Sequence, residues 1–513
     1  MTLPHRGAVA PSARPLALLR QALLSLCLSL PLGLRAGDDL NPSSSDTTVR
    51  QRAAEFRLGL EYLTLPGDET MGMLGAAYLL EIAPGLYFGP SAYGAVSGKR
   101  GGFFTGGGEL AYRAPLFSRL EIEAGIYVGG GGGALALVGS GLMLRPHVDL
   151  TWNFGSVRAG ISASSVRFPD GDIDSNQIGL VLAFDDRFFY TGSDKVGAAT
   201  TVEHRGGVGL DRIALYAGSY RPRPDIKDNA GAPMGNIGLA GFRAEQSFGA
   251  RFRWGIEAAG AAKGSADGYA EVLGTLAMEV PEFPEYFSAG GRLALGMGGG
   301  GAVPVGGGLL AKASAYGTLH LTRDYYITLE GGYVAAPSGD FRALYATLQV
   351  GLELDHPERG KSTGTIDGWR WSASAQHYVT AGRRDGSSAG VDLIGFKIDY
   401  QLGGGLYASG QAHSAIGGGA GGFAVGLIGI GWETGLPIPA LTAGVELLAG
   451  AAGGGGVKTE GGGIVQPIAY AGLDLGRGWS LRAGVGYVHS FKGSLDSTVL
   501  DLSLGYAFGA PRR

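Results

Sequence analysis

The chain has a single cysteine in 513 residues, and only 17% of its residues are charged. It also has no apolar run that a helix could use. Cys27 stands alone, so the sequence offers neither a disulfide nor a thiolate metal site. Acidic residues (45) slightly outnumber basic ones (41), without the clustered Lys and Arg that nucleic acid requires. Three uncharged stretches, Ala124–Leu144, Leu293–Ala311 and Ser414–Trp432, have the length of membrane helices but are broken up by glycine. The first contains eight glycines, a helical penalty of about 8 kcal/mol relative to alanine.

Glycine is what the chain has instead: 96 residues, without a collagen period, and interspersed with 22 Tyr and 20 Phe. The glycines fall into echoing blocks. Gly298–Gly308 reads GGGG-AVPV-GGG, Gly453–Gly463 reads GGGG-VKTE-GGG, and Gly130–Gly141 is a looser copy. Ala315–Val334 and Ala469–Val488 continue the echo downstream, both closing on Gly-Tyr-Val. A long fixed period implies a tandem array of one folding unit.

Residues 1–36 read as an export signal, with Arg6, Arg14 and Arg20 ahead of an apolar core, Ala22–Leu34. That core is shorter than the roughly twenty residues a membrane anchor needs. Removal of the segment takes away four arginines and moves the net charge from −4 to −8. Cys27 would leave with it.

Period two organises the rest. Leu120, Ile122, Ala124, Ile126 and Val128 share one face, opposite Glu121, Glu123, Gly125 and Tyr127. Leu142–Trp152 sets Leu144, Val148 and Leu150 against Arg145, His147 and Asp149. Such segments run to about ten to fourteen residues, the length of tilted membrane-spanning strands. Short turns (Ala83-Pro84-Gly85, Phe154-Gly155-Ser156) alternate with longer loops (Ser97–Gly102, Pro169–Asn176). Each unit holds about eight strands, giving about 24 in all.

The last strand places Leu500, Leu502, Leu504, Tyr506 and Phe508 on one face. This resembles the C-terminal strand of bacterial outer-membrane β-barrel proteins, which the barrel-assembly machinery reads. It departs from that pattern in the five residues Gly509–Arg513 beyond the aromatic. The resemblance implies an all-β, transmembrane, antiparallel up-and-down barrel in the outer membrane, with lipid as its first partner. The expected division is a signal (1–36) and three units, 37–185, 186–354 and 355–513. Three linked small barrels are favoured over one wide barrel, with longer connectors at Asp185–Asp211 and Asp355–Gly368.

The inward face carries the candidate functional residues. Arg57, Glu61, Glu121, Glu123, Arg145 and Arg158 in the first unit, Glu330 in the second and Arg482 in the third are expected to line a lumen. There they either set the preference of a passive channel for small solutes or ions, or fill a closed barrel with ion pairs. Glu109, Arg113 and Asp149 belong to the same inward set, and the third unit has fewer such charges. A structural or surface-interaction anchor of closed barrels is the alternative to a channel, and an embedded hydrolase a remote third. No catalytic motif, cofactor or metal set is assigned. Asp170–Asn176 spaces oxygen ligands as calcium loops do but has Ser175 and Val181 where that motif needs Gly and Glu. The glycine blocks are read as hairpin tops, with a lumen-folding or partner-touching loop as the functional alternative.

Overall fold

The computed structural model describes residues 49–249, 251–280 and 286–513. The export signal expected over residues 1–36, with Cys27, lies outside them. The first eight strands are β1 (Arg50–Leu65), β2 (Glu69–Ala83), β3 (Leu86–Ser97), β4 (Phe104–Pro115), β5 (Leu120–Gly132), β6 (Met143–Asn153), β7 (Val157–Arg167) and β8 (Asp174–Gly192). After a short β9 (Ala199–Val202) come β10 (Arg212–Pro222), β11 (Ile237–Phe248), β12 (Phe252–Lys263) and β13 (Ala270–Val280). They are followed by β14 (Phe287–Gly299), β15 (Leu309–His320), β16 (Tyr325–Ala335) and β17 (Arg342–Glu353). The last eight are β18 (Ser362–Gly382), β19 (Ser388–Gly403), β20 (Leu406–Ala415), β21 (Ala424–Gly435), β22 (Leu441–Gly453), β23 (Gly463–Gly476), β24 (Trp479–Ser490) and β25 (Asp496–Arg512).

Within each set of eight (β1–β8, β10–β17 and β18–β25) successive strands pair antiparallel, and three further pairings close the sets into rings: β1 with β8, β10 with β17, and β18 with β25. Closure removes every strand edge, the only way a sheet can sit in hydrocarbon with its backbone groups satisfied. The alternation read from the sequence is also seen. Ile126, Val148, Leu150, Leu293, Leu295, Leu329, Leu348, Val445 and Leu447 point outward and are exposed, while charged partners on the same strands are buried. Such an inside-out distribution belongs to a protein whose outer solvent is lipid. Among the described residues no helix is long and apolar enough to cross a membrane.

Two expectations about the ends need correction. The connectors expected from Asp185 and Asp355 are partly strand. β8 runs on to Gly192 because the N-terminal extension of β1 pairs with it, Arg50 facing Tyr190. β18 begins at Ser362, held by β9 and by the tail of β25, with Thr365 opposite Ala199 on one side and Arg512 on the other. The twenty-fifth strand, β9, is this added connector piece.

The second correction concerns Phe508. It does not face lipid; only 3% of its surface is exposed, packed 5.2 Å from the Phe188 ring and 5.6 Å from Trp371 in a cluster joining the first and third barrels. The residues past it, unexplained by the strand pattern, also make contacts. Arg513 Nη2 lies 2.7 Å from Asp355, and Arg512 Nη2 lies 3.0 Å from Asp324 in the β15–β16 turn. The tail therefore ties the third barrel to the second. Removing Arg512 and Arg513 strands the buried Asp355 carboxylate, and a loss of about 3 kcal/mol is expected, read as a lower urea midpoint of the reconstituted protein. Burial raises the Asp324 carboxyl, but Arg512 and His356 beside it outweigh burial and hold it below its ordinary value. This contact therefore contributes above the usual carboxylate range and is lost as pH falls through the lowered value.

Candidate functional site

Every lumen residue expected from the sequence lies inside a ring, in one connected network per barrel. In the first, Arg57 from β1 pairs with Glu109 on β4 and Glu123 on β5, and reaches Asp149 on β6 at 3.6 Å. Arg145 grips Glu61 at 2.9 and 3.0 Å, and Ser164 donates to the same carboxylate at 2.6 Å. Arg158 pairs with Glu55 and Asp185 and approaches Glu121 at 3.6 Å. Arg113 pairs with Glu55 and, at 2.7 Å, with Glu123.

The second lumen converges on Glu330. Its carboxylate accepts from Arg243 at 2.9 Å, Ser314 at 2.9 Å, Tyr345 at 2.9 Å and Gln349 at 3.0 Å, and pairs with Arg292. Lys312 bridges Glu257 and Glu271 at 2.8 and 2.6 Å. In the third, Arg482 joins Asp399 (3.0 Å) and Glu433 (2.7 Å), and Lys397 holds Asp501 at 2.7 Å. Glutamine and tyrosine supply the rest: Gln376 donates to Asp501 at 2.9 Å, and Tyr378 to Gln466 at 2.7 Å. This matches the lower charge expected of that unit.

Sequence reasoning missed Arg243, Arg292 and Lys312 of the second barrel, and Lys397 and Asp399 of the third. They sit on the inward phase of strands β11, β14, β15 and β19. The small neighbours on those strands weaken the apolar–polar contrast that marks a face.

The lumens are filled. Around Arg57, Tyr93, Arg145 and Asp149 the remaining cavity is about 20 Å³, room for one water. Toward the long-loop end each barrel is also stoppered by apolar side chains. Leu63, Met71, Tyr127 and Met143 plug the first, joined by Val138 from its glycine block. Val303 and Val305 do the same in the second barrel, and Val457 in the third. The variable residues within the blocks thus fold over the barrel mouths.

The glycines flanking them do something else: they join barrels. The β3–β4 loop of the first barrel meets the block of the second, Gly101 N donating to Gly306 O at 2.9 Å. The β20–β21 loop of the third meets the block of the first, with Gly422 N to Gly131 O at 2.9 Å and Gly421 N to Gly139 O at 3.2 Å. The β12–β13 loop of the second meets the block of the third, where a Cβ on Gly453 would strike the backbone of Gly268. In every case the loop after the third strand of one barrel docks on the block after the fifth strand of the next. The contacts run from first to second, second to third, and third to first: a head-to-tail interface that closes after three units. Both expectations for the blocks therefore describe part of what is seen: they are hairpin tops, and they touch both a lumen and a partner barrel.

Candidate chemistry elsewhere is thin. Ser374 Oγ lies 2.6 Å from His413 Nε2 in the third lumen, but His413 Nδ1 is buried without a partner, so no acid orients the ring. Of the acidic loop, Asp170 accepts from Ser140 N at 3.1 Å and Asp174 pairs with Arg167 at 3.2 Å; these carboxylates serve separate neighbours.

No family model matches the chain, and no curated protein does. Among solved structures it is similar in extent to OccAB3 of Acinetobacter baumannii, at 10% identity over 90% of this chain and 99% of that one, with a TM-score of 0.22. The outer membrane protein OpdK of Pseudomonas aeruginosa matches at 11% identity over 89% and 99%, with a TM-score of 0.22. The siderophore receptor PirA of A. baumannii matches at 9% over 91% and 81%, with a TM-score of 0.27. Scores this low transfer no role, so it is the chain's own strand pairing, with the apolar band around it, that makes this an antiparallel up-and-down β-barrel protein.

Proposed function

We propose that the chain is an integral outer-membrane protein without catalytic chemistry, exported by segment 1–36 and built from three folding units, 37–185, 186–354 and 355–513. In this reading it is a membrane anchor: three closed barrels that hold one joined loop surface at the long-loop end. The observation that carries it is the filling of the lumens, where buried ion pairs occupy the middle and apolar stoppers the mouth. The apolar belt supports outer-membrane lipid as partner, and the alternating apolar face of β25 supports delivery by the barrel-assembly machinery.

Passive passage, the role expected first from the sequence, has its own support in the charged column of each barrel. In this geometry passage is confined to water and small ions, with Arg57, Glu61, Glu121, Glu123, Arg145, Arg158, Glu330 and Arg482 as the groups an ion would meet.

Planar-bilayer recording of the refolded mature protein separates the two. The anchor reading expects no stable open steps from protein shown to be folded. Large uniform steps would overturn it in favour of a pore.

A further inference from the structure

We propose that the outer wall of the first barrel binds one amphipathic lipid, an acyl chain with an amide or hydroxyl head, in a recess across β6, β7 and β8. Lipid meets this wall if the chain is the integral membrane protein proposed above, and the site rests on that reading. The recess has a volume of about 560 Å³, within the range of small-molecule sites. Two rows of outward side chains form it. One is Pro146, Ser165 and Asn176; the next, a step further from the loops, is Val148, Ala163 and Ile178.

One residue makes the recess. On the seventh strand the second and third barrels read Gly332-Tyr333-Val334 and Gly486-Tyr487-Val488, whereas the first reads Ser164-Ser165-Val166. The three valines hold equivalent places, each fully buried in the stopper of its own barrel. Tyr333 and Tyr487 therefore point outward where Ser165 does, and both are exposed on the outer wall. The first and third barrels even share a lapse in pairing at this height. It falls at Pro146 between β6 and β7, and at Pro467 between β23 and β24, because proline has no N–H to give. Two barrels thus cover the place with a phenol ring, an apolar body with a polar tip. The first covers it only with a serine.

The lining asks for a ligand divided in the same way. Val148 and Ile178 flank Ala163 from strands roughly 9.5 Å apart, which leaves a small-floored trough for one acyl chain. Toward the loop end the trough turns polar. Asn176 is exposed, and among the described residues no side chain hydrogen-bonds its amide. Ser165 Oγ is buried without a partner, and rotation about χ1 turns it into the recess. Unpaired polar groups beside hydrocarbon are costly, and a hydrogen-bonding head removes that cost. A phosphate head has less to hold it, since Arg167 at the rim is already paired with Asp174 at 3.2 Å.

The test adds N-dodecanoylglucosamine to the refolded protein in detergent micelles and reads bound lipid by native mass spectrometry. One retained molecule per chain is expected on the parent, and its loss from Ser165→Tyr. Tyrosine suits the fold at this place, as Tyr333 and Tyr487 show. Ala163→Leu, which raises the floor, is expected to give the same loss by another route. No retention by the parent, equal retention by both variants, or equal retention of phosphatidylglycerol overturns the site. Flotation with liposomes is read in parallel. A parent chain that does not enter the bilayer defeats the membrane reading itself; one that enters but retains no N-acyl lipid defeats the recess alone.

Discussion

Replacing Glu330 by alanine is expected to cost about 3–5 kcal/mol of folding stability, because it leaves Arg243 and Arg292 charged and buried without their shared acceptor. Both arginines are at least 95% buried, as is the acid they share. Tyr345, Ser314 and Gln349 lose a partner at the same time. Glu330→Gln keeps the volume and some of the hydrogen bonds and is expected to lose less. Glu69→Ala, which breaks the half-buried pair with Arg100 (2.7 Å), gives the scale of an ordinary loop pair, about 1 kcal/mol or below. Urea unfolding of the reconstituted variants checks this order. If Glu330→Ala instead left the midpoint in place and changed ion selectivity, the lumen would be an open, water-filled path and Glu330 a lining residue.

Substituting one glycine in each inter-barrel contact, Gly102→Val, Gly268→Val and Gly422→Val together, is expected to open the loop-end contacts between the barrels while each barrel remains closed and the Phe508 cluster and C-terminal tail still hold the third barrel to the other two. A Cβ at Gly102 would run into the backbone of Gly299 and Gly300, one at Gly268 into Gly454, and one at Gly422 into Gly133. All three glycines have φ between 87° and 94°, where a side chain adds roughly 1–2 kcal/mol of backbone strain each. Overpacking against a neighbouring backbone adds about 1–3 kcal/mol at each contact. A single substitution is expected to do little to the assembly, because a closed ring of three contacts stays connected when one opens. Cross-linking of the solubilised protein across each contact, followed in parallel with thermal unfolding, reads both effects. Loss of all barrel structure in the triple variant would mean that the contacts are needed for the barrels to fold, not only to join them.

The phase of the strands with strong apolar–polar contrast was legible because lipid and lumen impose opposite demands on alternate residues. Leu120–Val128 and Leu142–Trp152 show this most clearly, with long apolar residues outside and charges inside. Arg57, Glu61, Glu123, Arg145 and Arg158 could be placed inside for the same reason. Their partners could not. Arg57 meets Glu123 across sixty-six residues and Arg145 meets Glu61 across eighty-four, and alternation fixes a side, not a height or an angle around the ring. Arg243 and Lys312 were harder, since Gly and Ala neighbours blur the contrast that gives a face away.

Alone, the sequence determined the class of structure: a threefold repeat and strands with period two, because each is a local pattern that one solvent or one folding unit imposes directly. The tertiary structure decided which strand closes on which, whether the lumens stay open, and what the glycine blocks are for. Ring closure depends on pairings more than a hundred residues apart, as between Arg212 and Glu353. The blocks read alike in sequence because each does the same two jobs. Their valines drop into the mouth of their own barrel, and their glycines leave bare backbone for the next barrel to approach. A side chain at those places would hold the barrels apart, and only packed surfaces show that.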